Sequence, residues 1–140
     1  MHQCSLSLNI ENEIMKNKIT IHTGSAHAPN IGGLSGISIT ISRNSNTTEH
    51  SMAISETSAN RLAIRAIIEG FKLLKKPSEA TVYSDSQYAL CGASGRHKRK
   101  KNLDLWKALD EVMKPHDITF KWTSKHQDDW IKRCKVIAWK

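Results

Sequence analysis

The sequence predicts one α/β domain, a mixed five-stranded sheet flanked by helices in the element order βββαβααβα. Three observations predict this class. Apolar and polar residues alternate in three successive segments of the first half, which is typical of half-buried strands. An apolar stripe at helical spacing follows these segments. Another strand-like segment comes directly after that helix, which favours a crossover and a parallel pairing with the first strand.

The first 17 residues precede the clear pattern and form a lead-in. Cys4, Leu6, Leu8 and Ile10 alternate with polar residues, so a short strand is one interpretation and disorder is the other. We therefore divide the chain into a lead-in, 1–17, and a single domain, 18–140. A domain of this length can bury a substantial core.

Each element is justified by its own local pattern. Strands are predicted over 18–23, 34–43, 49–55, 80–84 and 118–123, with a turn-rich link at 24–33 and a polar turn at 44–48. Helices are predicted from a cap at Ser55 or Thr57 to Pro77, over 86–92, from Asn102 or Asp104 to Pro115, and over 130–139. Periodicity predicts that Trp106 and Trp122 lie in the core, whereas Trp130 suits either packing or base stacking.

The charge of the chain favours a polyanionic partner. The net charge is +8, and no apolar run of 18 residues is present, so we expect nucleic acid as the partner and no membrane association.

The three cysteines, Cys4, Cys91 and Cys134, are odd in number and lack CxxC spacing. This usage predicts reduced thiols in a cytoplasmic protein, which we expect to be a monomer.

The stretch 81–90 carries the most informative pattern. A short strand ends at Tyr83, and a helix begins after Asp85 or Ser86, either of which could cap it. An acid at the carboxyl end of a strand lies where open α/β sheets place their sites. The alternative is that Asp85 is only a helix cap.

The string Tyr83-Ser-Asp-Ser-Gln-Tyr88 resembles the strand-to-helix turn of type 1 ribonuclease H. Further strings agree with this family in order and spacing: Ile-Thr-Ile-His-Thr-Gly-Ser at 19–25, Gly-Gly at 32–33, Asn-Arg-Leu at 60–62, Asn-Leu-Asp-Leu-Trp at 102–106, Phe-Lys-Trp-Thr-Ser-Lys-His at 120–126 and Arg-Cys at 133–134. The resemblance implies a ribonuclease H-like fold. It also implies an RNA/DNA-hybrid endoribonuclease in which four acids hold two divalent ions.

Three of those four acids are absent from the matching positions. Gly24, Ala63 and Lys135 stand where the family has acids, and only Asp85 is retained. His126 matches the histidine of the family's catalytic loop. We therefore expect Asp85 and His126 as residual catalytic residues, with Asp85 at most a weak metal ligand.

No cofactor is expected for such a set; Mg²⁺ or Mn²⁺ would be required if another set of acids restored the site. Asp128, Asp129 and Glu56 are the open candidates for that replacement. Because Thr23-Gly24-Ser25 looks one residue short of the family's string, inserting Asp after Thr23 is expected to restore the first acid better than Gly24→Asp.

A basic loop lies where bacterial members of the family place a protrusion that grips nucleic acid. The candidate nucleic-acid-binding residues are the loop cations and the matches to the family's hybrid groove: Asn60, Ser86, Gln87, Arg96, Lys98, Arg99, Lys100, Lys101 and Lys125. Neutralising the five loop cations together is expected to weaken duplex binding strongly.

The function hypothesis is a catalytically impaired ribonuclease H-like protein that binds RNA/DNA hybrid or another duplex. One alternative is an active metal-dependent endoribonuclease with a displaced set of acids. The other is a protein-interaction module on the same scaffold. Because three of the family's four metal-binding acids are missing, the sequence favours a binding protein over an enzyme.

Overall fold

Five strands form one mixed sheet in the computed structural model, which describes residues 18–26, 34–44, 46–56 and 58–123. The strands are β1 (Lys18–Ala26), β2 (Leu34–Arg43), β3 (Asn46–Ser55), β4 (Glu79–Ser84) and β5 (Asp117–Trp122). Their order is β3-β2-β1-β4-β5. The pairs β1–β2 and β2–β3 are antiparallel, while β1–β4 and β4–β5 are parallel. The predicted α/β class and the parallel pairing of the fourth strand with the first are confirmed.

Three helices cover this sheet in the described part of the chain. They are α1 (Ala59–Lys72), α2 (Gln87–Ser94) and α3 (Leu103–Met113). Helix α1 packs on β1 and β2, α2 packs on β4 and β5, and α3 packs on α1. The lead-in 1–17 and the helix predicted over 130–139 lie outside the described residues.

Helix α1 begins later than the sequence predicts. Ser58 is its N-cap, in an extended conformation, and the Ser58 hydroxyl accepts a hydrogen bond from the Arg61 backbone N–H at 3.2 Å. The predicted cap Ser55 is instead the last residue of β3, where it pairs with Leu34. The other predicted cap, Thr57, lies outside the described residues. A serine can cap only when its own backbone has left the strand ladder.

The core lies between one face of the sheet and α1. Buried β-branched residues from three strands line the sheet face: Ile19, Ile21, Ile37, Ile39 and Val82. Helix α1 packs against them with Leu62, Ile64, Ile67 and Phe71. Each such side chain stabilises the fold by about 1.5–3 kcal/mol. A Cβ at Gly70 would lie 3.2 Å from Cγ2 of Ile21, so glycine allows α1 to approach the sheet closely.

Strands β1 and β3 are longer than their side-chain patterns predict. The sequence predicts an end at Thr23, but β1 continues to Ala26, which pairs with Gly36. Strand β3 begins at Asn46, so the predicted polar turn at 44–48 is shorter than expected. Ladder hydrogen bonds use backbone groups, and they extend through polar residues that side-chain alternation excludes.

The prediction for the tryptophans is half confirmed. Trp106 is buried, with 3% of its surface exposed, and packs in the core. Trp122 is 51% exposed, so its predicted core position is wrong. Trp122 ends β5, an outer strand of the sheet, and its indole Nε1 donates to the Asp85 backbone oxygen at 3.1 Å. Periodicity identifies the face on which a residue lies, but it does not show whether another element covers that face.

His116 is expected to make the stability of the fold depend on pH. Its Nδ1 accepts a hydrogen bond from the Ser78 backbone N–H at 3.1 Å, its ring stacks on Phe71, and burial lowers its pKa below 6.5. The unfolded chain therefore binds a proton first as the pH falls. We expect the free energy of unfolding to decrease as the pH falls below about 6.5, the ordinary histidine value. Urea unfolding should show a smaller decrease in His116→Gln, and the exposed control His97→Gln should keep the full decrease.

Candidate nucleic-acid interface and candidate metal site

The turn that carries Asp85 is fixed by hydrogen bonds on both sides. Ser86 is the N-cap of α2, because its hydroxyl accepts from the Ala89 backbone N–H at 3.1 Å. The Ser86 backbone N–H donates to the Ser84 hydroxyl at 3.1 Å. Asp85 is therefore not the helix cap, and its carboxyl group remains at the carboxyl end of β4. The first of the two cap alternatives is excluded.

The strand register identifies the neighbour of Asp85 on β1. In the parallel ladder Ile21 pairs with Val82 and His22 pairs with Tyr83. When the same register is continued by two residues in both segments, Gly24 comes level with Asp85. The β1–β2 ladder pairs every residue from Thr20 to Ala26 without a bulge. Gly24 is thus the residue of β1 that lies level with Asp85, in a ladder without a bulge, so Gly24→Asp is the substitution that would bring a carboxylate to this level. Whether an insertion after Thr23 restores the first acid better stays a prediction.

The position that the resemblance assigns to the second acid carries a buried methyl group. Ala63 lies on α1 with 6% of its surface exposed, and it belongs to the core cluster. Helix α1 presents no acid in its first turn. A methyl group cannot ligate a cation, so this position contributes packing in place of charge.

Glu56, an open candidate for a replacement acid, is bound by two arginines. Its carboxylate accepts from Arg61 Nε at 3.0 Å and from an Arg65 guanidinium nitrogen at 3.2 Å. The Glu56 side chain is 9% exposed. Glu69, on α1, pairs with Lys72 at 3.4 Å. A carboxylate with two arginine partners is a poor cation ligand, because the ion would have to displace them.

The remaining residues predicted for the metal site lie outside the described part of the chain. These are His126, Asp128, Asp129 and Lys135. Among the residues that are described, no three His, Cys, Asp or Glu side chains form a group that could hold a metal ion. The described part of the predicted site therefore consists of Asp85, of Gly24, which lies level with it on β1, and of Ala63 on α1.

The basic loop, Arg96–Lys101, joins α2 to α3. Four of its cations are exposed: Arg96, Lys98, Lys100 and Lys101. None of the four pairs with an acid in the described ranges. The loop leaves α2 through Gly95, which has φ 81° and forms the left-handed C-cap. These cations therefore face solvent and are available to phosphates.

Arg99 differs from its neighbours in the loop. Its Nε donates to the Gly92 backbone oxygen at 2.9 Å, and a terminal nitrogen donates to Asp110 at 2.6 Å. The guanidinium carbon lies 4.9 Å from the centre of the Trp106 ring. Gly92 is required here, since a Cβ would lie 2.3 Å from the indole. The sequence grouped Arg99 with the phosphate-binding cations, but its charge is directed into the protein.

The predicted groove residues differ in their availability. Asn60 and Gln87 are exposed in the first turns of α1 and α2. The Ser86 hydroxyl is engaged as a helix cap. Lys125 lies outside the described residues. Asn60 and Gln87 therefore remain the groove candidates whose side chains are exposed.

A junction that sequence reasoning missed joins the starts of all three helices. Asn102 donates from its amide nitrogen to the Tyr88 hydroxyl at 2.8 Å, and its amide oxygen accepts from Arg61 at 3.2 Å. Arg61 also forms a two-pronged pair with Asp104, at 2.9 and 3.1 Å. Asn102 has φ 59°, a conformation that asparagine tolerates better than most residues. The sequence signalled Asn102 only as a cap, and it forms no side-chain cap bond.

The charges at this junction are paired: Arg61 forms salt bridges with Glu56 and Asp104. Hydrogen bonds from Arg61 hold the pKa of Asp104 below its usual range. Asp104, assisted by Glu56, raises the pKa of Arg61 despite the opposing effect of burial. Charges that pair with one another leave little net field, so Arg61 offers less attraction to phosphate than the exposed cations of the basic loop.

Comparisons with known proteins agree with this architecture. The RNase H family profile matches residues 16–132. A ribonuclease H from Lachnoclostridium phytofermentans is 33% identical over 141 residues, covering 86% of this chain and 89% of that protein. A ribonuclease H from Hydrogenovibrio crunogenus is 39% identical over 84 residues, covering 51% of this chain and 58% of that protein.

A solved structure shows the same fold. The crystal structure of LC11-RNase H1 in complex with RNA/DNA hybrid is similar with a TM-score of 0.67 at 20% identity, covering 86% of this chain and 95% of that chain. No helix in the described ranges is long and apolar enough to cross a membrane. The sheet order, the matched span and the identity to these relatives lead to one conclusion: the chain belongs to the ribonuclease H family.

Proposed function

We propose that this chain binds RNA/DNA hybrid, or another nucleic-acid duplex, and does not cleave it efficiently. The observation that carries the proposal is that, in the described part of the family fold, Asp85 at the carboxyl end of β4 has the glycine Gly24 level with it on β1, while α1 carries the buried Ala63 where the resemblance places an acid. The scaffold for duplex binding is kept, while the described ligands for metal ions are reduced to one carboxyl group.

Binding is supported by charge and by the arrangement of the helices. Four exposed cations lie on one loop of a protein whose net charge is +8. The starts of α1, α2 and α3 meet at Asn102, and helix N-termini favour anions. A relative of the same fold has been crystallised with RNA/DNA hybrid.

The described residues do not fit a pair of divalent ions. Mg²⁺ is bound through carboxylates together with substrate phosphate, and a two-ion site needs several such groups held in fixed positions. Asp85 supplies one carboxyl group, Gly24 and Ala63 supply none, and Glu56 is held by Arg61 and Arg65. Lys135, at the fourth position, would repel a cation rather than bind it.

We expect no hybrid hydrolysis above background at neutral pH with Mg²⁺, because a two-ion site acts as a unit and loses function when its ligands are lost. The measurement is a fluorescent-hybrid cleavage assay. Asp85→Asn is the matched variant, since it removes the remaining carboxylate while keeping its shape.

Strong cleavage that disappears in Asp85→Asn would overturn this proposal and establish an active endoribonuclease with a displaced set of acids. Cleavage that persists in Asp85→Asn would indicate a contaminating nuclease. Absence of both cleavage and salt-dependent hybrid binding would favour the protein-interaction module.

A further inference from the structure

We propose that Arg99 is a positioning residue that sets the preference of the basic loop for duplex over single-stranded nucleic acid. The inference rests on the proposed duplex-binding function and deepens it. Arg99 acts by holding the loop in one shape, and the phosphate contacts themselves come from Arg96, Lys98, Lys100 and Lys101.

The Arg99 guanidinium is already bound within the protein and is not directed to a phosphate. Its guanidinium is bound to Asp110 and to the Gly92 backbone oxygen, and it covers the Trp106 ring. Its side chain is 24% exposed, unlike the exposed cations on either side. An arginine fork that bonds two partners and stacks on an aromatic ring is not replaced by lysine, whose charge is a point with no plane.

The basic loop is held at three places. At its start, the Arg96 and His97 backbone N–H groups both donate to the Cys91 oxygen, at 3.0 and 3.3 Å. At its centre Arg99 is fixed to α2 and α3. At its end Asn102 is bonded to Tyr88 and Arg61. Of these anchors, only Arg99 lies between the cations that face solvent, so it decides how they are arranged relative to one another.

The conformation of the basic loop can determine its preference for duplex over single-stranded nucleic acid. A duplex presents phosphates at a fixed spacing, so an ordered set of cations can bind it without first losing conformational entropy. A single strand is flexible and adapts to an ordered or a disordered loop alike. Releasing the loop should therefore weaken duplex binding while leaving single-strand binding nearly unchanged.

The experiment compares binding of a labelled RNA/DNA hybrid with binding of its labelled single strand by fluorescence anisotropy. The main variant is the pair Arg99→Gln with Asp110→Asn, which removes the anchor and leaves the net charge unchanged. We expect hybrid affinity to fall about three- to tenfold and single-strand affinity to change less than about twofold. The salt dependence of hybrid binding should keep its slope, because no phosphate contact is lost.

Two further variants distinguish the loss of the Arg99 anchor from the loss of a positive charge, and a folding control accompanies them. Arg99→Lys keeps the charge and is the milder change, and we expect it to lower the ratio of hybrid to single-strand affinity in the same direction. Arg96→Gln removes one exposed cation and should weaken both ligands and reduce the salt slope by about 0.9 for the hybrid. Thermal unfolding checks that each variant is folded.

An unchanged affinity ratio in folded Arg99→Lys and in the double variant would overturn the role of Arg99 and leave duplex binding intact. A reduced salt slope in the double variant would show that Arg99 contacts phosphate directly, which also overturns it. If the unaltered protein does not bind hybrid, the proposed function fails, and this inference fails with it.

Discussion

Replacing Arg96, Lys98, Lys100 and Lys101 with glutamine will weaken hybrid binding by about 10²–10³-fold at about 0.1 M salt, because each cation that neutralises a phosphate releases counterions. The slope of log affinity against log salt should flatten by up to about 3.6. Arg99 is retained, since its partners are Asp110 and Gly92 and its loss would change the loop. Fluorescence anisotropy across a salt series measures both quantities.

A matched control separates the loop from general charge. Lys75, Lys76, Lys107 and Lys114 are exposed on other parts of the surface, and their replacement by glutamine gives the same change in net charge. The control should lose far less affinity than the loop variant. Equal losses in the two quadruple variants would show that binding follows net charge, and an unaffected loop variant would favour an acidic protein partner.

Returning acids to the three altered positions is expected to recreate a metal site. The triple variant combines Gly24→Asp, Ala63→Glu and Lys135→Asp. Gly24 is not among the described residues with a left-handed backbone, and it lies level with Asp85, so we expect the strand backbone to accept an aspartate at the same edge. Ala63→Glu buries part of a charged side chain, which costs stability in the absence of an ion.

We expect the triple variant to bind Mn²⁺ and to cut hybrid at least about tenfold faster than the parent, which corresponds to about 1.4 kcal/mol in the barrier. Single changes should do little, because the ligands act together. Among them Lys135→Asp should matter most, since it removes a repulsive charge and adds a ligand. Calorimetric titration with Mn²⁺ and the cleavage assay check this. A folded triple variant that binds no metal would show that these positions do not correspond to the family's acids.

The sheet and its helices could be predicted because their signals are local. Alternation over 34–43 matched β2 residue for residue, and the position of a strand after α1 led to the parallel pairing of β4 with β1. The resemblance in the 83–88 string placed Asp85 at the end of β4. These features depend on periodicity and chain order, which a sequence displays directly.

The contacts of the site could not be predicted because they join distant parts of the chain. Nothing in the sequence pairs Arg99 with Asp110 across the loop, or Arg61 with Asn102 and Asp104. A run of cations looks uniform, and only the fold shows that one of them faces inward. The predicted core position of Trp122 was wrong for a related reason: periodicity does not reveal that β5 is an outer strand.

On the proposed function, the fold binds a nucleic-acid duplex and leaves it uncleaved. The most direct test is to titrate a labelled RNA/DNA hybrid with the protein in Mg²⁺, measure anisotropy, and then run the same samples on a denaturing gel. We expect saturable, salt-dependent binding and a hybrid that is recovered intact. Recovery of shortened RNA, with cleavage that depends on Asp85, would contradict this expectation.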